Sequence, residues 1–113
     1  MEIPTAAIAL SALGHQPRLE LFRLLVRAGR EGMAAGEIGR SLGAVQNTVS
    51  SYLKILSQAG LIAPRREGRS IIYVADYQQI GALLRFLVED CCNGDPEACA
   101  SAFGSIGGSR DCC

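Results

Sequence analysis

The fold is decided by residues 34–60, which read AAGEIGRSLGAVQNTVSSYLKILSQAG. Ile38 and Leu42 stand four residues apart, which is the spacing of one face of a short helix. Gly43 interrupts that pattern, and a second helical period follows over residues 46–58. Two short helices joined by a tight glycine turn predict a helix-turn-helix. The apolar face of the second helix carries Val49, Tyr52, Leu53 and Leu56.

Residues 61–75 change from a helical period to the period of strands. Glu67 and Gly68 separate two extended segments, which predicts a β-hairpin. Pro64 has no N–H to donate, so it predicts an edge strand or an irregularity at that position. Together with the other helical segments, this pattern predicts a mostly α-helical fold with a small β-hairpin wing, a winged helix-turn-helix. Those other helical segments are residues 4–13, 17–28 and 77–91.

The second helix of the motif and the hairpin carry polar side chains of the kinds that contact DNA. Amides can pair with adenine edges in the major groove, and hydroxyls can reach bases or phosphates. Hairpin arginines can contact phosphates or enter a minor groove. Residues 18–69 hold nine Arg and Lys against four acids, a net of +5, although a solvated surface would look similar. We expect double-stranded operator DNA to meet Gln46, Asn47, Thr48, Ser50, Ser51 and Lys54 on the helix, and Arg65, Arg66 and Arg69 on the wing.

Three segments carry a family pattern that covers residues 5–91. They are Leu13-Gly-His-Gln-Pro-Arg-Leu-Glu-Leu-Phe, Val49-Ser-Ser-Tyr-Leu-Lys-Ile-Leu-Ser-Gln-Ala-Gly-Leu-Ile and Arg66-Glu-Gly-Arg-Ser-Ile-Ile-Tyr. This pattern resembles the ArsR/SmtB family of metal-responsive repressors. The resemblance implies a homodimer that leaves operator DNA when a metal binds. Two positions depart from the family: Val45 stands where Ser or Thr usually caps the recognition helix, and Tyr52 stands where His is common.

Apolar surface at both ends of the predicted domain also favours a homodimer. The fifth helix is more apolar than one packed face requires, and the first helix adds Ala6, Leu10 and Leu13. Unclaimed apolar stripes usually pack against a partner. A two-fold dimer would place two recognition helices about 34 Å apart on a palindromic site. The competing interpretation is that these residues fill the core of a monomer.

The cysteines are concentrated after the last helix. Residues 1–90 contain none, while Cys91, Cys92 and Cys99 fall in one short polar segment. By comparison with the resembled family, its usual arsenic site in the third helix lacks cysteine here. Its zinc site on the fifth helix lacks histidine, because the single histidine is His15, which we interpret as a turn residue. The chain looks similar to the arsenic-responsive repressors that place a cysteine cluster beyond the last helix.

The donor atoms predict which ion such a site would take. Thiolates select soft ions, and a three-sulfur pyramid satisfies As(III) or Sb(III), whereas Zn²⁺ prefers four ligands. Neighbouring cysteines on a regular helix point about 100° apart, so the helix must fray for both to bind one ion. Gly94 and Pro96 favour that fraying. We therefore expect As(III) or Sb(III) to be the inducer, bound by Cys91, Cys92 and Cys99, with no organic cofactor.

Several alternatives stay open on the sequence alone. Cys112 and Cys113 could add ligands, complete a four-sulfur site for Cd²⁺ or Zn²⁺, reach the other protomer, or take no part in binding. The same thiols could instead sense oxidants through a reversible disulfide. Carboxylates surround the cluster and favour a bound cation over a fast redox switch, and we expect no enzyme because no nucleophile–base pair or cofactor motif is evident.

The sequence also gives expectations for location and domain organisation. No apolar run reaches the ~20 residues of a membrane span, and no basic region precedes residues 6–13, so we expect neither a membrane span nor a signal peptide. We expect a protein of the reducing cytoplasm. Residues 1–92 are predicted to form the DNA-binding and dimerisation domain, and residues 93–113 a flexible tail containing cysteines.

Overall fold

The computed structural model describes residues 1–89 and residue 97. It contains five α-helices, a single 3₁₀ turn and three strands in this described part, and the mostly helical fold with a β-hairpin wing is confirmed. The predicted boundary at residue 92 and all five cysteines lie outside it. The elements are α1 (Ile3–Leu13), α2 (Gln16–Ala28), the Gly29–Glu31 turn, β1 (Met33–Ala34), α3 (Ala35–Leu42), α4 (Gln46–Gln58), β2 (Ile62–Glu67), β3 (Ser70–Ala75) and α5 (Tyr77–Val88).

The helix-turn-helix is formed by α3 and α4, as the sequence predicts. Gly43 follows α3 with φ +65° and ψ 31°, a left-handed conformation that favours glycine. The Glu37 carboxylate accepts a hydrogen bond from the backbone N–H of Ala34 at 3.3 Å and so caps the start of α3. Val49, Leu53 and Leu56 are buried on the inner face of α4, and Ile38 is buried on α3. The two helices therefore pack as one unit with a polar outer surface.

The wing is an antiparallel sheet in which β3 lies between β1 and β2. Pro64 lies on β2, which is an edge strand, and pairs with Tyr73 of β3. The edge position expected from this proline is therefore confirmed. The strand β1, in which Ala34 pairs with Ile72, was not predicted from the sequence. The 3₁₀ turn was not predicted either, because neither element is long enough to show a period.

Helices α1, α2 and α4 each contribute three buried side chains to the core. Ala6, Ala9 and Ala12 form the buried face of α1. These small side chains let α1 pack closely against α2 and α4. The sequence predicts a cap at Asp76, three residues before Gln79, and Asp76 does accept a hydrogen bond from the Gln79 N–H at 3.0 Å. The buried apolar set is Ala6, Ala9, Ala12, Leu21, Phe22, Leu25, Ile38, Val49, Leu53, Leu56, Ala59, Leu61, Ile62, Ala75 and Leu83.

Two details of the predicted helices are corrected. The nearly continuous apolar sequence of α2 predicts a helix that is buried on most sides, but Leu19 and Val26 are exposed while Leu21, Phe22 and Leu25 are buried. Within the protomer, α2 is thus amphipathic. The fifth helix was predicted to run to residue 91, but α5 ends at Val88.

Candidate nucleic-acid interface

The outer face of α4 presents the polar residues that the sequence singled out. Gln46, Asn47, Ser50, Ser51 and Lys54 are exposed, and Thr48 is half-buried. Because the apolar residues of the same helix are buried, the side chains opposite them must face solvent. The resulting surface offers amide, hydroxyl and ammonium groups along one helix, which is the set that can bind base edges and phosphates.

The N-terminal end of that surface is held by the side chain of Gln46 and not by a side-chain cap. Val45 occupies the N-cap of α4 and makes no side-chain capping hydrogen bond, so the weak cap inferred from the sequence is confirmed. The Gln46 amide nitrogen donates to the Ala35 carbonyl oxygen at 3.4 Å, and this side chain also occupies the space where Gly39 would carry a Cβ. Gln46 therefore contacts α3, whereas Asn47 makes no such contact among the hydrogen bonds of the described residues.

The three predicted wing arginines divide into two groups. Arg66 and Arg69 are exposed near the hairpin turn. Arg65 is half-buried and donates hydrogen bonds to the carbonyl oxygens of Arg30, at 2.7 Å, and Glu31, at 3.1 Å. The structure thus brings Arg66 and Arg69 to the surface and engages Arg65 within the chain.

A signal in the sequence could have found this difference. Alternate residues of a strand point to opposite faces, so Arg65 and Arg66 cannot both face the same side of the wing. Arg65 shares its face with Glu67, and its side-chain nitrogens lie 2.9 and 3.0 Å from the Glu67 carboxylate. Because the Gly29–Glu31 turn was not predicted, its carbonyl groups could not be recognised as acceptors for the Arg65 guanidinium.

His15 and Tyr52 connect the start of α2 with α4. Their ring centroids are 5.4 Å apart and the rings are tilted by 60°. His15 is the N-cap residue of α2, so its interpretation as a turn residue is confirmed. Its Nδ1 is buried and has no hydrogen-bond partner in this structure. Tyr52, one of the departures from the resembled family, therefore packs against the only histidine of the chain.

Two helices that contact each other, α1 and α5, carry exposed apolar side chains. The most exposed are Ile3 and Ile8 on α1 and Leu84 and Leu87 on α5, with exposed fractions between 49% and 70%. The sequence had selected Leu10 and Leu13 on α1. Leu10 is exposed, whereas Leu13 packs against the core. These apolar side chains remain exposed to solvent in the protomer.

The predicted sensor residues Cys91, Cys92, Cys99, Cys112 and Cys113 lie outside the described residues. Over residues 1–89 and at residue 97, no three His, Cys, Asp or Glu side chains come together as a metal site requires. No helix within this same part of the chain has the length and apolar character needed to cross a bilayer.

Comparison with known proteins assigns the class. Residues 13–65 match the family described as "Helix-turn-helix domain". The Escherichia coli HTH-type transcriptional regulator YgaV is 30% identical over 87 residues, which cover 77% of this chain and 86% of that protein. The Bacillus subtilis uncharacterised HTH-type regulator YceK is 37% identical over 59 residues, 52% of this chain but only 58% of that one.

Two solved structures are similar to this chain in fold and in sequence. A homodimeric winged helix-turn-helix DNA-binding domain from Mycobacterium bovis, Mb0332, is described as a possible ArsR-family regulator. It has a TM-score of 0.63 and 27% identity, with 75% of this chain and 76% of that one covered. The transcriptional repressor BigR from Xylella fastidiosa has a TM-score of 0.57 and 32% identity, with 72% and 80% covered.

The fold and the surface of α4 define a winged helix-turn-helix transcriptional regulator, and the relatives are named as regulators rather than as enzymes. The chain belongs with the HTH-type transcriptional regulators, and its fold is similar to that of a possible ArsR-family regulator.

Proposed function

We propose that this protein is a homodimeric repressor that binds operator DNA and leaves it when As(III) or Sb(III) binds the thiolates of Cys91, Cys92 and Cys99. The observation that carries the DNA-binding part is the joint exposure of the α4 polar face and of Arg66 and Arg69 on the wing. A helix for the major groove beside cations for phosphates or a minor groove is the arrangement that winged helices use. Repression is supported by the similarity to BigR, which is itself a repressor.

The homodimer is supported by the apolar surface of α1 and α5 and by the homodimeric relative Mb0332. Leu84 and Leu87 are about half exposed in the protomer, so burying them against a second copy removes apolar area from water. We expect Leu84→Asp with Leu87→Asp to yield a folded monomer by sedimentation velocity. Gln78→Asp adds a charge at another exposed position of α5 and serves as the control. A double variant that remains dimeric would contradict this interface.

The inducer is argued from the chemistry of sulfur donors. Three thiolates satisfy the pyramidal coordination of As(III) or Sb(III), and soft ligands select soft ions. Cys91 and Cys92 follow α5 closely in sequence, so an ion that binds there would act on the end of a helix in the proposed dimer interface. A change in the angle between protomers would misplace the two α4 helices, which must fit successive turns of one duplex face.

The test is a pair of titrations with a duplex that the wild-type protein selects from a random-sequence library. We expect arsenite to weaken binding of the full chain by about 5- to 150-fold, the usual range of allosteric coupling. Cys91→Ser, Cys92→Ser and Cys99→Ser together should abolish that response, while Cys112→Ser with Cys113→Ser should retain it. X-ray absorption of the arsenite-loaded protein should report sulfur ligands.

Each contrary result points to a different part of the proposal. Failure to select any duplex would contradict DNA binding. Release of DNA by arsenite from the triple serine variant would place the sensor elsewhere. Release by mild peroxide but not by arsenite, with a disulfide found by mass spectrometry, would replace metal sensing by redox sensing.

A further inference from the structure

Arg65 joins the wing to a segment that lies far away in the sequence. Its Nη1 donates to the Arg30 carbonyl oxygen at 2.7 Å, and its Nη2 donates to the Glu31 carbonyl oxygen at 3.1 Å. On the other edge of the same guanidinium, Nε donates to Glu67 Oε1 at 3.0 Å. The planar fork of an arginine can serve two such edges at once, which a lysine ammonium cannot do.

The accepting carbonyls lie where a cation is favoured. Arg30 and Glu31 belong to the 3₁₀ turn that follows α2, and carbonyl groups near the end of a helix lack partners within it and carry partial negative charge. Arg65 pairs with Ile72 in the sheet, and Ile72 also pairs with Ala34 of β1. The guanidinium therefore connects β2 with the turn that leads into β1, on the other side of the central strand.

Gly32 holds the same turn tightly against β3. It has φ +65°, and a Cβ at this position would lie 2.5 Å from the Tyr73 carbonyl oxygen and 2.6 Å from Val74 Cγ1. Real Cβ atoms do not approach so closely, so no larger residue fits without movement of the strand. Close packing at Gly32 and hydrogen bonding from Arg65 thus fix the wing to the turn at two points.

The geometry points to Arg65 as a positioning residue of the wing: its hydrogen bonds to the turn set the direction of the hairpin, so that Arg66 and Arg69 reach the duplex that α4 contacts. Arg65 itself does not contact DNA. This inference rests on the proposed function, since it assumes that the wing binds DNA. It assigns the three wing arginines two different tasks, with Arg65 acting through Arg66 and Arg69.

A double-mutant cycle separates positioning from direct contact. The affinity of the full chain for the selected duplex is measured for Arg65→Ala, for Arg69→Ala and for the two combined. A positioning role predicts that Arg69→Ala weakens binding in the wild-type background and has little further effect after Arg65→Ala. Independent effects that multiply would overturn the inference, because two separate DNA contacts behave in that way.

Two further variants make the result specific. Arg65→Lys keeps the charge but loses the fork, so a positioning role predicts binding close to that of Arg65→Ala, whereas a phosphate contact would tolerate lysine. Gly32→Ala disturbs the same junction without changing charge and should likewise remove the contribution of Arg69. Wild-type affinity in both variants would contradict the inference.

A readout without DNA separates this inference from the proposed function. Backbone ¹⁵N relaxation reports motion on the picosecond to nanosecond timescale. We expect lower order parameters at the Gly68 amide in Arg65→Ala, with unchanged values in α4, and wild-type values in Arg66→Ala. If the protein selects no duplex, the proposed function fails while the relaxation result still decides whether Arg65 fixes the wing. Unchanged order parameters at Gly68 would contradict the inference even if DNA binding is found.

Discussion

The helix α4 and the β2–β3 hairpin both present polar side chains to solvent, but different interactions support them. The inner face of α4 carries the fully buried side chains of Val49 and Leu56, which belong to the main core. Beyond Ile62 the residues of β2 are only half-buried or exposed, and the hairpin is tied to the turn after α2 by the hydrogen bonds of Arg65.

This difference has consequences for stability and for motion. A surface supported by a close-packed core cannot move without opening the core, so α4 should change position only when the whole domain unfolds. A hairpin whose outer residues are half-buried or exposed can move at lower free energy. Damage to the support of α4 should therefore appear as lost stability, and damage to the support of the wing as altered binding of DNA by a folded protein.

The largest expected effect comes from emptying the core behind α4. Leu56 is fully buried, and Leu56→Ala should lower the free energy of unfolding by about 2–5 kcal/mol, as buried leucine truncations do. Urea denaturation followed by circular dichroism gives this value. Ile71→Ala removes an apolar side chain that is 42% exposed on β3, and it should cost much less. Equal costs at the two positions would contradict the contrast between helix and wing.

The next effect concerns the turn that aligns α3 with α4. Gly43 has φ +65°, and nothing lies within 4 Å of the position its Cβ would take. Gly43→Ala therefore meets no steric obstacle outside the backbone, and the strain of the left-handed conformation should cost about 1–2 kcal/mol. The same denaturation experiment measures it. Ser41→Ala, at an exposed position of α3, is the control and should leave stability nearly unchanged.

A smaller effect of opposite sign is expected at the start of α4. Val45 makes no capping hydrogen bond there, and its side chain is 70% exposed. Val45→Ser supplies a hydroxyl acceptor for a free N–H of the first turn and should raise the free energy of unfolding by about 1 kcal/mol. Val45→Ala offers no acceptor and is the matched control. A serine variant no more stable than the alanine variant would show that this helix end needs no side-chain cap.

The sequence predicted the elements that have a clear period and missed those that are defined by contacts. Leu53 and Leu56 mark one face of α4 because helical spacing is visible in the sequence itself. The strand β1 has two residues and exists because Met33 and Ala34 pair with β3, a partner that no local pattern reveals. Long-range contacts of this kind could not be read from local periodicity.

The same limit applies to the candidate interface. Exposure of Asn47 and Ser50 follows from the helical period, so the helix part of the surface was predictable. Arg18 and Arg65 counted equally with the other cations of residues 18–69, yet both donate hydrogen bonds to backbone carbonyls, Arg18 to Ala12 at 2.8 Å. Net charge therefore overstates the cationic surface that remains available for phosphates.

The smallest effect on stability should come from Arg66, which is exposed on β2 and makes no hydrogen bond or ion pair among those found over residues 1–89. Arg66→Ala should change the free energy of unfolding by no more than about 0.5 kcal/mol, as surface substitutions usually do.

If Arg66 neutralises one phosphate, the slope of log affinity against log salt should become shallower by about 1 in Arg66→Ala. Fluorescence anisotropy titrations at several salt concentrations measure that slope, with Arg85→Ala on α5 as the control that leaves it unchanged. An unaltered slope in Arg66→Ala would mean that this arginine does not reach a phosphate, and the DNA contact of the wing would then depend on Arg69.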